Sequence, residues 1–356
     1  MKILHAADLH LDSPFTGRSA EQVARLKAAL KRTPGQLAAL CKAEGCDLVL
    51  LAGDLFDGPW SRDSFRALCA ALEVMEVPVF ISPGNHDYIS HDSPYWSEVW
   101  PENVHIFTRP AMEAFPLPEL DCCIYGAGYR SMDCPSLLED FQAEGEARYH
   151  IAVLHGDPTT AQSPYCPISA GQLRRSGLDY AALGHIHKTG QIRFGRTLCA
   201  WPGCPMGRGF DELEAKGALI VTLDDTVRAD FVPLETPRFF DYEIHPGNDV
   251  CAAVAGLLPA VGDEHFYRIT LTGEAETPDL EALAKAFAQF PNLELRDRTV
   301  PQRDIWGSAA EDTLEGVYFA ILKKELDTAD DEQREILTLA ARISRQLLDG
   351  QEVRLP

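Results

Sequence analysis

Residues 48–53 read LVLLAG and residues 54–58 continue DLFDG. An unbroken apolar run closed by glycine and followed by carboxylates reads as a strand covered on both faces that ends in a polar loop. A strand with one wet face would alternate instead. The pattern recurs at PVFISPG (78–84), which runs on into NHDY (85–88). Working outward from these two runs, strands are expected at Ile3–Ala7, Asp47–Ala52, Val77–Ser82, Cys122–Gly126, Ile151–Leu154, Tyr180–Leu183, Thr197–Trp201 and Ala218–Leu223. Helical periodicity fills Ala20–Glu44 and Ser61–Glu73. Strand and helix in alternation predict an α/β fold with sheet layered between helices.

The strand ends carry the chemistry. ADLHLD delivers Asp8 and His10, GDLFDG delivers Asp54, and PGNHDY delivers Asn85, His86 and Asp87. HGD then supplies His155, and LGHIHK supplies His185 and His187. Any one of these reads as a turn or a cap, since Asp, Asn and Gly favour tight turns. Five successive turns that each deliver Asp, Asn or His are different. Burying so many imidazoles and carboxylates together is costly unless cations neutralise them. Mixed imidazole, carboxylate and amide donors suit Mn²⁺, Fe²⁺ or Zn²⁺ better than Mg²⁺ or Ca²⁺.

Composition narrows the partners. The 356 residues carry a formal charge of −22, shared equally between residues 1–235 and the remainder. A generic nucleic-acid binder is usually basic. One strip departs from the trend. Between Asp179 and Asp211 no acidic residue occurs, while Lys188, Arg193, Arg196 and Arg208 do. It reads either as a phosphate-gripping lip beside the His185–His187 turn or as a chance window on a solvated surface. The ten cysteines form no C-x-x-C pair and read as reduced thiols. No apolar run approaches the roughly 18 residues needed to span a bilayer, and the N-terminus lacks a signal-peptide pattern, so a cytoplasmic protein without membrane contact is expected.

VPLETPRFF (232–240) reads as a boundary, which divides the chain into residues 1–235, 236–305 and 306–356. The middle stretch, with strands at Phe240–His245, Phe266–Thr272 and Asn292–Val300 and helices at Val250–Leu258 and Asp279–Gln289, is expected to be a small α+β domain. Beyond Ala309, Leu314, Val317, Tyr318, Ile321 and Leu322 recur at helical spacing, as do Ile336, Ala340, Ile343 and Leu347. Thr328 in TADD is the expected N-cap of the second helix, with Asp331 three residues on. The resulting hairpin either packs its stripe on the preceding domain or docks a partner helix.

D-x-H, G-D, G-N-H-D, H-G and G-H-x-H, in this order, resemble the calcineurin-like metallophosphoesterases. The wording of HAADLHLDSPF, LAGDLFDG, SPGNHDY, LHGD, LGHIHK and WPGCPMGRGFDE is similar to bacterial DNA repair exonucleases of the SbcD and YhaO type. The resemblance implies a β-sandwich flanked by helices, then a capping domain and a helical tail. It implies two divalent ions, expected to be Mn²⁺. One would be held by Asp8, His10 and His187 and the other by Asn85, His155 and His185, with Asp54 between them. Such a pair clamps a phosphate and activates a water. By the same resemblance His86 is the general acid and Asp87 the group that orients it. Asp12 and Asp57 are open between supporting this site and shaping their loops. His5, inside the first strand, reads as structural.

The implied activity is a DNA repair exonuclease working with an SMC-like coiled-coil ATPase, and a homodimer is compatible with it. The alternative is a phosphatase or phosphodiesterase for a small phosphoester or a phosphoprotein, which the acidic charge favours. A regulatory protein without turnover would be expected to lack some of these ligands, and none is missing.

Overall fold

The apolar runs become the interior of two sheets. The computed structural model describes every residue except Asn248, Glu276, residues 302–304 and residues 351–356. In the first sheet the parallel strands β1 (Lys2–Ala6), β2 (Leu48–Leu51), β3 (Val79–Ile81) and β4 (Val104–Ile106) lie side by side. The antiparallel pair β11 (Gly217–Leu223) and β12 (Val227–Pro233) extends it beyond β1. In the second sheet the order is β5 (Glu113–Leu117), β6 (Cys122–Gly126), β7 (Tyr149–His155), β8 (Tyr180–Gly184), β10 (Thr197–Trp201) and β9 (Gly190–Phe194). Strands β6, β7, β8 and β10 run parallel, and β5 and β9 pair antiparallel at its two edges.

The sheets share one apolar layer, in which Ile3, Leu48, Leu50 and Phe80 meet Ile124, Ile151, Val153 and Tyr180. Helices α1 (Ala20–Glu44) and α2 (Arg62–Glu73) cover the outer face of the first sheet through Leu26, Leu30, Leu37, Phe65 and Leu68. The short helices α3 (Pro94–Ser97) and α4 (Ala170–Arg175) fill the loops, with Leu173 of α4 packed on the second sheet. This is the expected helix-flanked sandwich. Helix α1 carries Pro34 in its interior, which leaves the Leu30 carbonyl without its i+4 donor. The Thr33 hydroxyl donates to that carbonyl at 2.7 Å, so this buried turn of the helix continues.

The chain divides into two compact units, Met1–Phe240 with Glu264–Tyr267, and the rest. The second unit holds most of a three-stranded sheet, β13 (Phe239–Ile244), β14 (Phe266–Ala275) and β15 (Leu293–Pro301), with helices α5 (Val250–Ala255) and α6 (Leu280–Ala286). Its last elements are α7 (Leu314–Thr328) and α8 (Asp331–Leu348). The cap of α8 is Asp330, which accepts from Gln333 N at 2.9 Å, and not Thr328. Thr328 ends α7 and donates to the Glu325 carbonyl, because Ala329 is already extended. The hairpin has a small core of Ile305, Phe319 and Ala341, with the Arg345 guanidinium 4.5 Å over the Phe319 ring. Leu314, Val317, Tyr318 and Ile321 on the same helix are exposed, Leu314 to 88%. Among the described residues no helix is long and apolar enough to cross a membrane.

Candidate metal centre

All the ligand-type residues emerge at the C-terminal ends of parallel strands. Asp8 and His10 follow β1, Asp54 follows β2 and Asn85 follows β3 in one sheet. His155 ends β7 in the other sheet, and His185 and His187 follow β8. The backbone there is unusual. Asp8 (φ 53°), His10 (φ 46°), Asp54 (φ 51°) and His185 (φ 91°) are non-glycine residues in the left-handed region, at about 1–3 kcal/mol each. Loop-to-loop hydrogen bonds hold them, Asp8 N to Gly53 O at 3.0 Å and His10 N to Asp54 O at 2.9 Å. Glycine permits the approach. A Cβ on Gly84 would stand 2.2 Å from Asp54 Oδ1, and one on Gly184 would stand 1.9 Å from the Ala52 carbonyl.

Asp8, His10 and His187 bring one donor atom each within 4.8 Å of one another, as do Asp8, Asp54 and His155. His10 Nε2 faces His187 Nε2 at 3.1 Å, and His155 Nε2 lies 2.8 Å from Asn85 Oδ1 and 3.3 Å from Asp54 Oδ2. The His185 ring lies 5.3 Å from that of His155, and its amide donates to both Asp8 oxygens at 3.0 and 3.1 Å. Asp8, His10, Asp54, Asn85 and His155 are buried, and His185 and His187 are half-buried.

The electrostatics of such a cluster are unstable without cations. Burial pushes the Asp8 carboxyl up to about 6 against the pull of His155 and His187. Burial pushes His10 down to about 3 and His185 down to about 4. On His155 burial also acts downward, but Asp54 and Asp8 outweigh it and hold the imidazole at about 9. On Asp54 burial acts upward, yet His155 and His10 hold its carboxyl below the usual range. Two imidazole nitrogens face each other, and His155 presents both ring nitrogens to acceptors, since its Nδ1 also meets the Ala52 carbonyl at 2.9 Å. The buried His10 Nδ1 has no hydrogen-bond partner among the described residues. This donor set fits divalent cations: positive charge placed between the facing donors would satisfy the opposed imidazole nitrogens and offset the buried carboxylates.

His86 stands at the open side, its side chain 41% exposed and its ring 4.9 Å from that of His10. Asp57 Oδ1 accepts from His86 Nδ1 at 3.0 Å, and this bond raises the imidazole and lowers the carboxyl.

The model of the family described as calcineurin-like phosphoesterase matches residues 1–189. The chain belongs to the calcineurin-like phosphoesterases. It is 34% identical to the uncharacterized metallophosphoesterase YhaO of Bacillus subtilis, over 62% of this chain and 57% of that protein. It is 28% identical to SbcD, a component of the SbcCD nuclease of Bacillus subtilis, over 62% of this chain and 66% of that one. The chain thus spans less than two thirds of either relative. A dimetal phosphatase from Danio rerio matches 64% of this chain and 95% of its own at 12% identity, with a TM-score of 0.41. Phosphoesterases of this family use a binuclear divalent metal centre, and the strand-end cluster supplies candidate ligands for one.

Around the cluster one expectation changes and two open roles acquire partners. Asp87 does not orient His86. Its oxygens accept from Gly84 N at 2.8 Å, Leu55 N at 2.7 Å and the Tyr95 hydroxyl at 2.5 Å, so it pins the Asn85–His86 loop to the Asp54 loop. The carboxylate on the His86 ring is Asp57. Asp12 turns away to hold the start of α2, through Ser61 N at 2.8 Å and Ser64 Oγ at 2.8 Å. His5 is structural, with Nδ1 2.7 Å from the Tyr180 hydroxyl.

The basic strip is not a lip. Arg193 and Arg196 sit level with the start of β8, because Leu198 of β10 pairs with both Tyr180 and Arg193. His185 leaves the other end of that strand. Arg196 pairs with Asp179, and Lys188 pairs on the surface with Glu214 at 2.6 Å. Only Arg208 of the four reaches the centre, where it bonds Glu212 at 2.9 Å and lies 3.5 Å from Asp57.

Glu212 is the residue that sequence reasoning missed. It is buried, it meets His187 Nδ1 at 2.7 Å, and its other oxygen accepts from Arg208 N. Burial acts to raise its carboxyl, but the bonds to His187 and Arg208 outweigh this and keep it ionised. A carboxylate behind a ligating imidazole fixes the ring and its tautomer. The available signal was the sudden return of acid at FDELE after the long acid-free stretch.

Proposed function

We propose that this chain is a metal-dependent DNA phosphodiesterase, an exonuclease of the SbcD and YhaO type. The observation that carries the hydrolytic part is the buried cluster of facing imidazole and carboxylate donors with the exposed His86–Asp57 pair above it. One ion would be held by Asp8, His10 and His187, the other by Asn85, His155 and His185, with Asp54 shared. Bound there, the ions would polarise the phosphate and generate the attacking nucleophile. Mn²⁺ is the proposed metal, for the mixed donor set.

The chain's own groups do the rest. The ionised Asp57 accepts a hydrogen bond from His86 Nδ1–H and so favours the imidazolium, which leaves Nε2 with a proton to give to the departing oxygen. Glu212 holds the His187 ring, and Arg208 hydrogen-bonds Glu212 and pairs by charge with Asp57, which joins the metal side to the acid side through one row of polar contacts. Asp87 and Gly84 keep the Asn85–His86 loop against Asp54.

DNA as substrate is supported by the named activity of the SbcCD relative and by the motif wording. Against it stand the −22 charge and a basic strip that does not line the site. These two observations favour the second reading, a phosphodiesterase or phosphatase for small phosphoesters or phosphoproteins. An SMC-like ATPase is the proposed partner, and the exposed stripe Leu314, Val317, Tyr318 and Ile321 is the proposed docking face.

The test compares the Mn²⁺-loaded protein on end-labelled linear duplex DNA and on bis(p-nitrophenyl) phosphate. Shortening of DNA that falls about 10²- to 10⁴-fold in His86→Ala is the expected result. Hydrolysis of the small diester with intact DNA would move the conclusion to the second reading. Deleting residues 308–356 is expected to abolish co-purification with the ATPase and to spare the small diester.

A further inference from the structure

A groove of about 510 Å³ opens beside His86, within the roughly 300–1,000 Å³ range of small-molecule sites. Phe56, Pro59, Trp60, Tyr88 and Pro94 line it, and His86 forms part of its wall. The Trp60 ring is fixed. Its Nε1–H donates to the Asp92 carbonyl at 2.7 Å, and its ring centroid lies 6.4 Å from that of Phe56 and 5.8 Å from that of Phe65. Tyr88 is 36% exposed. Among the described residues no lysine or arginine lines the groove. Its carboxylates are Asp87, whose oxygens are bonded inward, and Asp92, which is exposed.

We infer that this groove receives the base of the leaving nucleoside, stacked on the Tyr88 and Trp60 rings. The inference rests on the reading of His86 as the acid for the departing oxygen. Whatever departs from that acid starts at the wall of this groove. Away from His86 the lining offers an exposed carboxylate at Asp92 and no lysine or arginine to hold a phosphate, so it suits an uncharged group. Aromatic walls favour a flat one. Base–aromatic stacking is tolerant of sequence because every base presents a π-face. It also gives a −22 protein a grip on DNA that does not depend on lysine and arginine. A base in the groove is out of the duplex, so an unpaired or frayed end is the preferred substrate.

Deoxyadenosine and 2-deoxyribose, tested as inhibitors of bis(p-nitrophenyl) phosphate hydrolysis by the full Mn²⁺-loaded chain, check this. Deoxyadenosine is expected to inhibit at least about tenfold more strongly, an advantage lost in Tyr88→Ala and kept in Tyr88→Phe, within the range that stacking supplies. Titrating deoxyadenosine against tryptophan emission is expected to rank the same variants identically without any turnover. Equal inhibition by the two compounds overturns the inference, as does a folded Tyr88→Ala protein that binds deoxyadenosine like the wild type. Cleavage of linear DNA reports separately on the reading beneath it. DNA left intact while deoxyadenosine still binds through Tyr88 sinks the DNA assignment and keeps the groove as a nucleoside site.

Discussion

The strand-end centre and the C-terminal hairpin depart from the ordinary distribution of side chains in opposite senses. In the first, Asp8, His10, Asp54 and His155 are polar groups held almost wholly out of water. In the second, Leu314, Val317 and Ile321 are apolar groups left in it, over a core of three buried residues. Polar groups inside are stable when something complements their charge, and apolar stripes outside mark surfaces that another chain covers. The two regions therefore differ in what would complement them, ions in one case and, on the reading proposed above, a protein in the other, and substitutions in each should fail differently.

The largest contrast should come from Asp54→Asn. Hydrolysis of bis(p-nitrophenyl) phosphate is expected to fall at least about 10³-fold, since the change touches both proposed ions at once, while the circular dichroism of the folded protein is retained. Glu212→Gln is expected to weaken metal binding about 10- to 100-fold in a calorimetric titration, the usual cost of removing a carboxylate behind a ligating histidine. Unchanged metal affinity would disconnect Glu212 from the centre. In the hairpin, Phe319→Ala is expected to destabilise the second unit by about 3–5 kcal/mol in a denaturant titration, because the ring is fully buried under Arg345. Ile321→Asp, on the exposed stripe, should move stability by no more than about 0.5 kcal/mol and yet prevent capture of the proposed ATPase partner. A large stability loss there would mean that the stripe is core and not interface.

What the sequence disclosed about the fold also divides by burial. All eight inner strands of the sandwich were legible as apolar runs, because strands buried on both faces leave no polar interruptions. The four edge strands β4, β5, β9 and β12 were not. Strand β4 has three residues, all half-buried, β9 is largely exposed, and β5 and β12 carry Pro116 and Pro233. Those are the features by which edges avoid further pairing, and they erase the pattern that marks a strand. The ligand-type residues were legible because each follows an inner strand. The groups behind them were not. Glu212 reaches His187 from a loop past β10, and only geometry decides between Asp57 and Asp87 as the partner of His86.

The left-handed backbone at Asp8, His10, Asp54 and His185 has a consequence for laboratory evolution. Glycine adopts such a conformation freely, and a rigid fold already maintains it, so each of these sites offers a glycine replacement that relieves strain of about 1–3 kcal/mol. A library ranked only by heat resistance would drift toward those replacements and discard the chemistry while improving the score. Variants of this protein selected for hardiness should therefore be screened on a phosphodiester from the first round.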